Sequence, residues 1–151
     1  EMCIRDRFSY SAEGYLTGIV ENIDNTEYSS TSLTDENGDI TSISSKMNGL
    51  ENKFIYEPGE ESSTYHLPCL GLLEIHPLTF HIEALYAGLL GKDPRHFTIR
   101  SCPAGSNDEK TIYSYEFDKK GNPSRMICQT TYAGGQASYY PYTRNISVSF
   151  E

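Results

Sequence analysis

The stretch "LTDENGDITSI", residues 33–43, gathers Asp35, Glu36, Asn37 and Asp39 around Gly38. Two structures are built from such a run, a calcium loop and a tight β-hairpin turn. An EF-hand loop needs oxygen ligands at its positions 1, 3 and 5, glycine at 6 and a bidentate glutamate at 12. Counted from Asp35, the oxygen ligands are present, but glycine falls at position 4, Ile40 takes position 6 and Lys46 takes position 12. A cation would lose its strongest ligand and meet an ammonium group instead. The turn is the better reading, and it makes this stretch a report on how a sheet is built.

Two other segments support that reading. Aligned on Gly14, Gly38 and Gly121, "FSYSAEGYLTGI", "TSLTDENGDITSI" and "YEFDKKGNPSRM" form one repeated unit. Ser11, Asp35 or Asp118 stands three residues before each glycine, and the acids around Gly38 are not kept in the other copies. A Ser or Asp that opens a type I turn accepts a hydrogen bond from the backbone two residues on, and the glycine takes the positive φ that closes the turn. The hairpin residues of the unit are therefore Gly14, Gly38, Gly121, Asp35 and Asp118. Apolar residues two and five places after each glycine differ in strand parity, so each return strand needs either a bulge or cover on both faces.

Strand patterning continues beyond the turns. Tyr113, Tyr115 and Phe117 alternate with Ser114 and Glu116, giving one aromatic and one polar face. Pro123 suits an edge or the start of a strand, since it lacks an N–H. The last segment, "ASYYPYTRNISVSFE", reads as a strand that pairs with the third hairpin. Between the second and third units the composition changes. "HPLTFHIEALYAGLLGKDP" predicts one α-helix over about 77–90, opened by Pro77, striped by Leu78, Ile82, Leu85 and Leu89, and stopped at Gly91. The expected fold is mainly β: an antiparallel meander of G-centred hairpins forming a curved or partly barrel-like sheet, with that helix packed on or inside it.

The chain has 151 residues, with 21 acidic against 12 basic side chains and a formal charge of −9. That length suits a single domain. The charge repels nucleic-acid backbones and anionic lipid, so nucleic acid is not an expected partner. No apolar run reaches the roughly 20 residues of a membrane helix. Glu1 precedes Met2, and "MCIRDR" looks like translated sequencing adapter, so residues 1–7 are expected to be a non-native leader ahead of a β-rich domain over 8–151. It reads as a single β-rich domain, with the C-terminal part of a longer protein as one reading of it.

Few side chains suggest chemistry. Cys3, Cys69, Cys102 and Cys128 show no zinc-type spacing, which favours thiols over a metal site or a disulfide framework. His76 and His81 are five apart and do not share a helix face, while His66 and His96 lie in loop-like surroundings, so structural or solvent-exposed histidines are expected. No nucleophile elbow is present, and Glu57, Glu60 and Glu61 read as a solvated loop tip, with paired carboxylates for sugar hydrolysis as the alternative. No catalytic residue, metal or cofactor is expected. Tyr132, Tyr139, Tyr140 and Tyr142 stand out as aromatic faces that stack on sugars or anchor protein partners, against the plainer reading that they pack a strand.

The order of these hairpins, followed by "ALYAGLLGK", "DPRHF" and "YSYEFDKKGNPSRM", resembles secreted proteins of the gut Bacteroides group classed as domain of unknown function 4595, with a porin-like fold. The hairpin unit also looks like the YD repeats of Rhs-type proteins, a generic likeness. The family resemblance implies an exported protein, periplasmic, anchored at the outer membrane or secreted, and brings no catalytic residues with it. The function expected is a noncatalytic extracytoplasmic β-protein that binds a glycan or a cell-surface protein. The alternatives are a saccharide hydrolase using loop carboxylates and a structural repeat segment of a larger surface protein.

Overall fold

A computed structural model describes residues 4–62, 87–106, 108–120, 123–132 and 142–147. They form nine strands: β1 (Ile4–Tyr10), β2 (Leu16–Ile23), β3 (Thr26–Glu36), β4 (Asp39–Met47), β5 (Leu50–Ser62), β6 (His96–Pro103), β7 (Glu109–Phe117), β8 (Pro123–Tyr132) and β9 (Tyr142–Ser147). The strands make one sheet in sequence order, and every neighbouring pair is antiparallel. In such a meander successive connections alternate between the two ends of the sheet. The turns at Ser11–Gly14, at Asn37–Gly38 and at Asp118–Lys120 therefore share one end, which also receives the connection from β5 to β6.

The parity conflict in the repeat is resolved by bulges. Tyr10 faces Leu16 and Ser9 faces Gly18, leaving Thr17 as the extra residue. Thr41 is skipped in the same way between the Asp35–Ile40 and Thr34–Ser42 pairs, and Ser124 between Phe117–Pro123 and Glu116–Arg125. Each extra residue lies three places after the unit's glycine. One inserted residue shifts the alternation by one, so Leu16 and Ile19, Ile40 and Ile43, and Pro123 and Met126 come to share a face.

That face is the covered one. Near the shared turn end it carries the apolar cluster of Leu16, Leu33, Ile43 and Tyr56, joined by Leu90, and on the other half of the sheet Tyr113, Met126 and Cys128. Phe97 stacks at 4.6 Å on Tyr115 and meets Phe117 edge-on at 5.8 Å. The opposite face presents Ser30, Ser32, Ser44, Lys46, Glu51 and Lys53, with ion pairs joining Glu57 to Arg100 and Glu116 to Arg125 across neighbouring strands.

Two expectations need correction. Among the described residues there is no helix: of the stretch predicted over 77–90, residues 87–90 form a turn and the remainder lies outside the described residues. Gly88, inside the predicted span, has φ of +69°, a left-handed value that an α-helix does not use. The apolar stripe is also misassigned there, since Leu90 is buried at 6% exposure while Leu89 is 39% exposed. The sheet, moreover, is an open meander rather than a barrel-like closure, because among the described residues β1 and β9 are its two edges.

Candidate functional site

The shared turn end is held by the segment that leads into β6. Its backbone donors go to the turn glycines, with Lys92 N–H on the Gly14 carbonyl at 2.9 Å and Arg95 N–H on the Gly38 carbonyl at 3.0 Å. Gly91 bridges to Tyr15, and a Cβ at Gly91 would stand 2.8 Å from the Gly14 carbonyl oxygen, so only glycine admits this approach. The Tyr10 hydroxyl donates to the Leu89 carbonyl at 2.9 Å, and the Lys92 ammonium lies 5.7 Å from the centre of the Tyr15 ring.

Asp39 completes this end. One carboxylate oxygen accepts the His96 backbone N–H at 2.7 Å, and the other meets the His96 ring Nδ1, also at 2.7 Å. The Asp39 side chain is 10% exposed and that of His96 34%. Nδ1–H donating to the carboxylate orients the imidazole and leaves Nε2 as its second polar atom. Both Asp39 oxygens thus serve a histidine 57 residues away. Asn37 and Gly38, at φ +56° and +88°, make the tight two-residue turn between β3 and β4. Asp35 lies within β3 opposite Ile40, ahead of that turn.

The far end of the covered face is chemically different. Glu21, Ser29, Thr31, Ser45, Ser101, Thr111 and Thr130 are all buried there. Ser29 donates its hydroxyl to Glu21, Ser101 bonds the Tyr113 hydroxyl at 2.8 Å, and Thr111 bonds Thr130 at 2.9 Å. Strand register aligns them in rows: Ile19, Thr31, Ser45 and Asn52 stand opposite one another across β2 to β5. A second row runs through Ser101, Thr111, Thr130 and Tyr142 from β6 to β9. The Ser45 hydroxyl, 1% exposed, has no hydrogen-bond partner.

The residues singled out in the sequence divide between these two ends. Gly14 has φ +91° and donates its N–H to the Ser11 carbonyl at 3.0 Å, while Asp118 accepts the Lys120 N–H at 2.8 Å. Gly121, Tyr139 and Tyr140 lie outside the described residues. Tyr132 ends β8 opposite Glu109 and Tyr142 opens β9 opposite Thr130, so backbone register sets both at the far end. Sequence reasoning missed the Asp39–His96 pair and the buried hydroxyl rows. No local signal marks the pair, whereas the alternation of Ser29, Thr31 and Ser45 with their neighbours was available as a pattern. Among the described residues no three His, Cys, Asp or Glu side chains converge as metal ligands.

The chain is similar to a porin-like protein from Bacteroides uniformis ATCC 8492, known from a crystal structure, with a TM-score of 0.76 and 22% sequence identity. The likeness covers 98% of this chain and 59% of that one, so the chain spans about three fifths of its neighbour's length. At that identity the likeness is one of fold. A comparison with curated proteins gives no match. The family model of the domain of unknown function DUF4595, with porin-like fold, matches residues 4–125, so the chain belongs to that family.

Proposed function

We propose that this chain is a noncatalytic β-protein that works outside the cytoplasm and binds a glycan at the far end of its covered face. The observation that carries the reading is the concentration of buried hydroxyls and one carboxylate there, from Glu21 to Thr130. Sugars are recognised by such dense donors and acceptors beside aromatic side chains. Tyr132 and Tyr142 occupy register positions at the same end. Family membership and the resemblance to exported proteins support the compartment.

The open face supports work in water. A sheet that spans a bilayer turns apolar residues outward, and a lysine facing mid-bilayer costs roughly 2–4 kcal/mol. Here the outward positions of β4 and β5 include Lys46, Glu51 and Lys53. The test is a glycan array on the parent protein and on Thr130→Val and Tyr142→Ala. Binding that weakens in both variants is expected. A parent that retains no glycan sinks the reading, and secretion of the full-length gene product into the periplasm or medium tests the compartment separately.

A further inference from the structure

Ser45 is the one buried side-chain polar atom among the described residues with no hydrogen-bond partner. It lies in β4 between Thr31 of β3 and Asn52 of β5, with the Glu21–Ser29 pair one row farther toward the end of the sheet. Unmet hydroxyls in a buried setting are uncommon, because desolvation is not repaid. A site that keeps one offers a polar ligand a hydroxyl free to bond it.

Three features define what would fit. The cross-strand partners of Ser45 are the hydroxyl residue Thr31 and the amide residue Asn52, groups that both donate and accept, as a sugar hydroxyl does. Asn52 is exposed, so the row opens to solvent on the β5 side and Ser45 is one side chain away from it. Glu21, buried at 7% exposure, is the charged member of the cluster. A buried carboxylate repels a second one, which favours a neutral ligand over an acidic one.

We propose that Ser29, Thr31, Ser45 and Asn52, backed by Glu21, form a subsite for a neutral saccharide, in which a sugar hydroxyl takes the hydrogen bond that the Ser45 hydroxyl lacks in the free protein. The inference rests on the glycan-binding reading and adds to it a residue, a charge class and a cost. The hydroxyl destabilises the empty protein and strengthens the occupied one. Ser45→Ala therefore has opposite effects on the two states, a signature that a purely structural serine would not give.

The experiment measures thermal unfolding of the parent protein and Ser45→Ala, and titrates both with cellohexaose, maltohexaose, mannohexaose and hexagalacturonate. Expected are a higher unfolding midpoint in the variant without sugar, binding of at least one neutral hexasaccharide by the parent, and roughly tenfold weaker binding by the variant. Asn52→Ala, at an exposed position, weakens the same binding without altering the midpoint. A variant that melts earlier than the parent overturns the inference, as does hexagalacturonate bound as tightly as the neutral sugars. Neutral binding unchanged in Ser45→Ala overturns the subsite while leaving the glycan reading intact, and no binding of any of the four overturns both.

Discussion

The two ends of the covered face are built from the same strands and follow opposite rules. Toward the turns, Leu16, Leu33, Ile43 and Tyr56 pack with Leu90 from the incoming connection, and hydrogen bonds tie that connection to the turn carbonyls. Toward the far end, the same alternating positions carry Ser29, Thr31, Ser45, Thr111 and Thr130. Apolar burial scales with area and needs no partner geometry, whereas each buried hydroxyl gains only when its partner is in place. The turn end is therefore the stabilising end, and the hydroxyl end contributes only where its hydrogen bonds are made.

The comparison breaks most directly at Ile43, which is 0% exposed. Ile43→Ala is expected to cost about 3–4 kcal/mol in urea unfolding, while Leu50→Ala, at a position 74% exposed, stays within about 0.5 kcal/mol of the parent. Equal losses at the two positions would mean that the turn-end cluster is not the core. Next in size is Asp39→Ala. It removes the acceptor for the His96 N–H and for its ring, and a cost of about 2–3 kcal/mol is expected. Because the lost contacts fasten a segment, amide exchange at Lys92 and Arg95 should accelerate while that of Thr111 and Thr130 does not. Uniform acceleration would reduce Asp39 to one contributor to global stability.

How far all this was legible in the sequence depends on the range of the interaction concerned. The turn at Ser11–Gly14 follows from local chemistry, and the alternation of Tyr113 and Tyr115 identifies the covered face of β7. The inconsistent parity after each glycine pointed to a bulge without choosing it over cover on both faces; register decides for the bulge. Asn48-Gly49 is a strong hairpin signal that the glycine-aligned repeat left aside, and Asp24-Asn25 makes another tight turn without glycine. The helix expectation rests on leucine spacing, which the left-handed Gly88 overrides over the described residues 87–90. Asp39 and His96 are joined only by the return of a long connection, so no spacing rule could pair them. The hydroxyl rows are visible as alternation but not as burial: serine and threonine on a strand read as solvated until register shows which face they occupy.

A third prediction separates crowding from backbone conformation at two turn glycines. Gly38 and Gly49 both hold positive φ, +88° and +79°. A Cβ at Gly38 would fall 2.6 Å from the Tyr15 hydroxyl and 3.1 Å from the Arg95 side chain, whereas at Gly49 nothing lies within 4 Å. Gly49→Ala thus carries the conformational cost alone, about 1 kcal/mol, and Gly38→Ala adds displacement of Tyr15, for about 2 kcal/mol in total. Equal costs would show that the incoming segment yields freely, and that the turn end is looser than its hydrogen bonds imply.

The smallest expected effects come from one hairpin, β7–β8, which carries a polar pair on each face. Thr111 and Thr130 share a buried hydrogen bond of 2.9 Å on the covered face, and Glu116 and Arg125 an exposed ion pair at 3.3 Å on the other. Thr130→Val keeps the shape and strands the Thr111 hydroxyl, so about 1–2 kcal/mol should be lost, independent of salt. Arg125→Ala removes a solvated contact worth about 0.5 kcal/mol or less, and added salt should erase the difference from the parent. Opposite ranking of the two would place the sheet's polar stabilisation on its open face. The hydroxyl end would then be a lining whose bonds add nothing to the fold, and the division of labour between the two ends would rest on the apolar cluster alone.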